Sequence, residues 1–94
     1  MNRNEKKRLR FCVFPGYNWC GPGCSGPDAP INAVDAACKV HDECYRGTGN
    51  RCRCDREFLR QLEQHMDLNT QEGHHARVIH KYMKVHSFFN CKFL

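Results

Sequence analysis

Eight cysteines in 94 residues limit what this chain can become more than any other feature. A domain this short buries proportionally little of its surface, so an apolar core alone leaves a thin margin of stability. Cysteine at this density reads as a disulfide scaffold, in which covalent links supply what the core lacks. Eight thiols allow 105 pairings, so counting does not fix their connectivity. Mean hydropathy is −0.74, and no run approaches the roughly 20 apolar residues that a membrane span requires. One small domain is expected, covering residues 11–94 and preceded by a basic tail at 1–10.

Net charge is +5, and the first ten residues hold five Lys or Arg against one Glu. They read as a solvated, flexible tail. Arg77, Lys81 and Lys84 add a second basic face. Such charge favours anionic surfaces, at about 1 kcal/mol for each basic side chain close to an acidic membrane. The tail lacks the interleaved aromatics that stack bases, so no nucleic acid is expected as a partner. No apolar stretch of signal-peptide length follows Arg10. The cysteines nevertheless point to an oxidising compartment, and a secreted or cell-surface location is the expectation.

Residues 11–30 carry Phe11, Phe14, Trp19 and closely spaced Gly and Pro, a composition of loops and turns. Pro30 suits the first turn of a helix, where its missing N–H costs nothing. A first helix is predicted from Ile31 to about Tyr45, stopped by Gly47-Thr48-Gly49-Asn50. A second is predicted from about Arg51 to Leu68, because Asp55, Phe58, Leu59, Leu62 and Met66 keep helical spacing. Asp55 falls on that buried stripe, and a buried acid needs a partner. After a polar turn from Asn69 to His75, a third helix is predicted from Ala76 to about His86. Val78, Ile79, Tyr82, Met83 and Val85 should face inward, with Phe88 and Phe89 in the core. The segment from Ser87 to Leu94 should be tied back through Cys91. The fold class is therefore all-α, small and disulfide-rich.

The first helix carries the chemistry. Cys38, Cys44 and Tyr45 stand at −3, +3 and +4 from His41, on neighbouring turns. Asp42 points about 100° away from His41, so the two side chains do not compete for one space. If Cys44 pairs with Cys54, the next residue, Asp55, comes within reach of His41 from the facing helix. An imidazole oriented by one carboxylate, beside another free to hold a metal, is the layout of a metal-assisted hydrolase. His65, His74, His75, His80 and His86 read as exposed or packed residues.

Three stretches, in order, resemble the secreted phospholipase A2 family. Trp19-Cys20-Gly21-Pro22-Gly23 matches the calcium-loop pattern aromatic-Cys-Gly-any-Gly. Asp35-Ala-Ala-Cys38-Lys-Val-His41-Asp42-Glu-Cys44-Tyr45 matches the active-site helix. Cys52-Arg53-Cys54-Asp55-Arg56 matches the opening of the second long helix. The resemblance covers about residues 17–56. It implies a calcium loop followed by two antiparallel, disulfide-linked helices, with Cys20 bonded to Cys38 and Cys44 to Cys54. Cys12–Cys24 and Cys52–Cys91 are guesses from proximity.

The implied activity is calcium-dependent hydrolysis of the sn-2 ester of a phospholipid at a membrane surface. His41 would activate the water, Asp55 would fix and stabilise the imidazole, and Tyr45 would hydrogen-bond Asp55. Ca²⁺ would be held by the carboxylate of Asp42 and the main-chain carbonyls of Trp19, Gly21 and Gly23, a mixed oxygen shell that suits it. The N–H of Gly21 would complete an oxyanion site. Against the animal enzymes, ten polar residues and Phe11-Cys12-Val13-Phe14 stand where a long amphipathic helix precedes the calcium loop, Gly47-Thr48-Gly49-Asn50 stands where they carry a β-hairpin, and the second tyrosine that supports the aspartate has no assignable counterpart. It is nearer to compact microbial or viral members, and lipid contact would fall to Phe11, Phe14, Trp19 and the C-terminal half.

Two rivals stand beside this reading. One is a phospholipase-like fold kept as a silent binding or toxin module, against which His41, Asp42 and Asp55 are all intact. The other is a zinc-stabilised nucleic-acid module, but Cys20-x3-Cys24 and Cys52-x-Cys54 form no convincing paired knuckle.

Overall fold

A computed structural model describes residues 11–92. The expected basic tail at residues 1–10 lies outside the described residues. A looped segment, 11–32, leads into three helices: α1 (Ala33–Thr48), α2 (Arg51–Glu63) and α3 (Gln71–Cys91). Four disulfides tie them: Cys12–Cys24 within the loop, Cys20–Cys38 from loop to α1, Cys44–Cys54 from α1 to α2, and Cys52–Cys91 from α2 to the end of α3. With all eight cysteines bonded, no thiolate remains for zinc, which removes the zinc-module alternative. Closing the Cys20–Cys38 loop alone contributes on the order of 3 kcal/mol in the chain-entropy account.

Helix boundaries differ from the sequence expectation because side chains and close contacts outweigh Gly and Pro signals. α1 begins two residues after Ile31, since Asn32 is its cap and accepts from Asp35 N. It then runs through Gly47 and ends only at Gly49 (φ 74°). Glu72, reaching across from α3, accepts from Ala33 N and Val34 N at 2.9 and 3.2 Å, satisfying amides that the helix itself leaves orphaned. Asn50 caps α2, which stops at Glu63 rather than Leu68, although Met66 still packs on the core.

Thr70 caps α3, which therefore starts at Gln71 and not at Ala76. Gly73, expected in a turn, is the third residue of this helix. A Cβ there would lie 1.7 Å from the carbonyl oxygen of Asp67, so the close approach requires glycine. α3 also continues past His86 to Cys91, where the disulfide to Cys52 anchors it.

The core gathers Tyr17, Trp19, Val34, Phe58, Leu62, Ala76, Ile79 and Met83. α3 turns Gly73, Ala76, Ile79, Met83 and Ser87 inward. Val78, Tyr82 and Val85, expected inside, are 54–65% exposed, and Phe88 and Phe89 also lie at the surface. Ile79 and Met83 face inward as expected, beside the small Gly73, Ala76 and Ser87, whereas the remaining large apolar residues of α3 face out.

Candidate active site

Asp55 is fully buried near the start of α2, with its carboxylate aimed at α1. Its Oδ1 lies 2.7 Å from His41 Nε2 and accepts from the Tyr45 hydroxyl at 2.5 Å. The Cys44–Cys54 bond joins the residues next to Tyr45 and Asp55, holding the two helices in this register. The His41 ring sits between Tyr45 and Phe58, with centroids 4.3 and 4.4 Å away, so packing as well as hydrogen bonding fixes its plane.

Burial raises the pKa of Asp55, but hydrogen bonds from Tyr45, His41 and Asn90 outweigh it and hold the carboxyl below its ordinary value. Burial lowers the pKa of His41 more than its bond to Asp55 raises it, so the ring is neutral at pH 7. With Nε2 donating to an ionised Asp55, Nδ1 keeps the lone pair that can take a proton. Burial and the adjoining Asp55 raise the Tyr45 phenol, keeping it a donor.

The loop before α1 is clamped by a second buried acid. Asp35 Oδ1 accepts from Trp19 N at 2.8 Å, and its Oδ2 accepts from Asn18 N and Ile31 N at 3.0 and 3.1 Å. Residues 11–13 back the same loop through Phe11 N to Pro22 O and Val13 N to Cys20 O. Gly21 (φ 128°) lies so close to this strip that a Cβ would be 1.9 Å from Phe11 O.

Asp42 is half-buried, and loss of solvent pushes its carboxyl up to about 6, against the opposing charge of Arg46. No hydrogen bond or ion pair from the described residues meets that carboxylate. Among the loop carbonyls, Gly21 O accepts from Cys24 N, whereas those of Trp19 and Gly23 receive nothing from the described residues.

His41, Asp42, Tyr45, Trp19 and Gly21 share one open cavity of about 550 Å³, walled by Phe58 and by Val78, Ile79, Tyr82, Met83 and His86 of α3. Gly23 is not on its wall. Of the aromatics expected to meet lipid, Trp19 is buried in the cavity wall, Phe14 is half-buried and stacks on His75 at 3.7 Å, and Phe11 is exposed.

The family model of the phospholipase A2-like domain matches residues 10–86. The chain belongs to this family. It is 35% identical to capsid protein VP1 of porcine parvovirus (strain NADL-2) over 78 residues, covering 73% of this chain and 11% of that protein. It is 31% identical over 67 residues to acidic phospholipase A2 2 of Naja sagittifera, covering 62% of this chain and 52% of the relative. A 36-residue stretch is 50% identical to the acidic phospholipase A2 homolog taipoxin gamma chain of Oxyuranus scutellatus scutellatus, covering 38% of this chain and 22% of that one. The chain thus spans about a tenth of the viral relative and half of the cobra one. No solved structure gives a significant match.

Within this phospholipase A2-like domain, sequence reasoning missed two residues. Asp35 stood in the matched helix pattern, but its hold on Trp19 N depends on a loop conformation that no spacing reveals. Asn90 donates to Asp55 Oδ2 at 2.7 Å and to the Tyr45 hydroxyl oxygen at 3.2 Å. It comes from the far end of α3, 35 residues from Asp55. The only hint was its neighbour Cys91.

Proposed function

We propose that this domain is a calcium-dependent phospholipase A2. The observation that carries this reading is the 2.7 Å contact between His41 Nε2 and the buried Asp55, made beside a cavity that also exposes Asp42 and the 19–21 loop. Nδ1 of His41 takes a proton from a cavity water as the water's oxygen adds to the sn-2 ester carbonyl. Asp55 stabilises the imidazolium that forms. The same proton then passes to the departing glycerol oxygen, giving a fatty acid and a lysophospholipid. The N–H of Gly21, a residue on the cavity wall, would donate to the developing oxyanion.

The residues present fit a calcium ion. A half-buried carboxylate that makes no ion pair or hydrogen bond among the described residues shares the cavity with the 19–21 loop, and a carboxylate with loop carbonyls is a mixed oxygen set that suits Ca²⁺. Asp42 would hold it with the carbonyls of Trp19, Gly21 and Gly23; that of Gly23 stands off the cavity wall. When bound, the ion supplies polarisation of the ester carbonyl and neutralisation of the substrate phosphate.

An anionic phospholipid surface is the partner this reading implies. The exposed Val78, Tyr82, Val85 and Phe89 form one stripe of α3 at helical spacing, next to the cavity mouth. Arg77, Lys81 and Lys84 follow along its flank, and α3 has no acid after Glu72. Four disulfides suit a secreted or cell-surface setting. Among the described residues no helix is long and apolar enough to cross a membrane. The test is His41→Gln: turnover should vanish while all four disulfides and the helical signal persist. Unchanged hydrolysis would sink the mechanism.

A further inference from the structure

We propose that Asn90, at the C-terminal end of α3, is a positioning residue that holds the Asp55 carboxylate in the rotation His41 requires. This rests on the hydrolase reading and adds the last turn of α3 to its machinery. Asp55 has two oxygens with different duties. Oδ1 receives both His41 Nε2 and the Tyr45 hydroxyl, whereas Oδ2 receives Asn90 Nδ2 at 2.7 Å and no other hydrogen bond from the described residues. Because Asp55 is fully buried, removing that amide would leave Oδ2 an orphaned charged acceptor. The carboxylate would then turn toward other donors or take up a proton, and either change weakens its hold on the imidazole.

The same amide donates to the Tyr45 oxygen, closing a ring of three groups: Tyr45 to Oδ1, Asn90 to Oδ2, and Asn90 to Tyr45. Both acceptors require a donor, so the NH2 of Asn90 and not its carbonyl faces them. An amide also suits the place chemically. It fills a lone pair without adding charge, so the negative charge of Asp55 stays available to the imidazolium, which a lysine here would compete for.

The covalent frame explains how so distant a residue arrives. Cys91 is bonded to Cys52, and Cys52 stands one helical turn before Asp55 on the buried side of α2. That bond seats the last turn of α3 on the first turn of α2, and Asn90 meets Asp55 as a consequence. Asn90 does not line the cavity, so it acts on chemistry and not on substrate fit.

The experiment compares the full disulfide-bonded chain with Asn90→Leu, which keeps volume and removes the donor. Turnover is measured on a short-chain phosphatidylcholine below its micellar threshold with saturating calcium, and the His41 ring N–H proton is followed by NMR. The expected result is a kcat lower by roughly tenfold to a hundredfold, the range a lost hydrogen bond to a charged group covers, with KM little changed. The His41 N–H resonance should shift or broaden. Equal kcat with an unmoved resonance would overturn the assignment, as would a rise in KM without loss of kcat. If Asn90→Leu does not form its four disulfides, Asn90→Ala carries the same readouts, with the same results expected and the same ones contradicting. A wild-type protein that hydrolyses nothing would refute the hydrolase reading, while the NMR comparison would still decide the role of Asn90.

Discussion

Replacing Asp35 by asparagine isolates one buried carboxylate that holds the 18–19 loop and residue 31 against α1. The side chain has no exposure to solvent and accepts from Trp19 N, Asn18 N and Ile31 N. Asparagine keeps the shape but offers one acceptor oxygen, so whichever way its amide turns, an NH2 faces at least one of these N–H donors. A hydrogen bond to a charged group is worth about 1.5–3 kcal/mol, so losing one or two costs between about 1.5 and 6 kcal/mol. Ile31 is exposed, and water can satisfy its N–H, which narrows the expected loss to about 2–4 kcal/mol. For a domain of this size that corresponds to a Tm lower by about 10–20 °C. Thermal unfolding followed by circular dichroism, with disulfides intact, measures it. Calcium titration of the same variant should show weaker binding, because Trp19 is the residue whose amide is released. A Tm within about 5 °C of wild type would refute the clamp.

Three further perturbations probe other parts of the account. Glu72→Ala removes the carboxylate that accepts from Ala33 N and Val34 N, and should cost about 1 kcal/mol as a lost helix cap; denaturant unfolding with an unchanged midpoint would contradict it. Because burial pushes Asp42 up to about 6, a proton competes with calcium below that pH. Calcium affinity should be level above neutrality and fall as pH drops through about 6, so an affinity flat from pH 7 to 5 would argue against Asp42 as ligand. Burial lowers the pKa of His41, so the base form is lost only as pH falls below the ordinary histidine range. At saturating calcium, kcat should rise with pH and level off with a midpoint below about 6.5; a midpoint above that value would contradict the neutral-base assignment.

Much of the site was legible because its parts are local. His41, Asp42 and Tyr45 share one helix, where offsets translate directly into direction, and the burial of Asp55 followed from its place in an apolar stripe. Of the pairings implied by the family resemblance, Cys20 with Cys38 fixes the loop on α1 and Cys44 with Cys54 fixes where α1 and α2 meet. What escaped the sequence is tertiary. Glycine marked stops at Gly47 and Gly73, yet both lie within helices, the second because only hydrogen fits against Asp67 O. Apolar Val78, Tyr82 and Val85 suggested an inward face for α3, but the close approach that seats this helix selects Gly73, Ala76 and Ser87 instead. Asn90 carried no signal beyond its neighbour Cys91, since its partners are set by a disulfide that joins residues 39 apart.

The most direct test is release of fatty acid from anionic phospholipid vesicles labelled at the sn-2 acyl chain, with calcium present and then with excess chelator. The account predicts label in the free fatty acid with calcium, none after chelation, and lysophospholipid as the co-product. Release that continues undiminished under chelation, or no release from fully oxidised protein with calcium present, would contradict it.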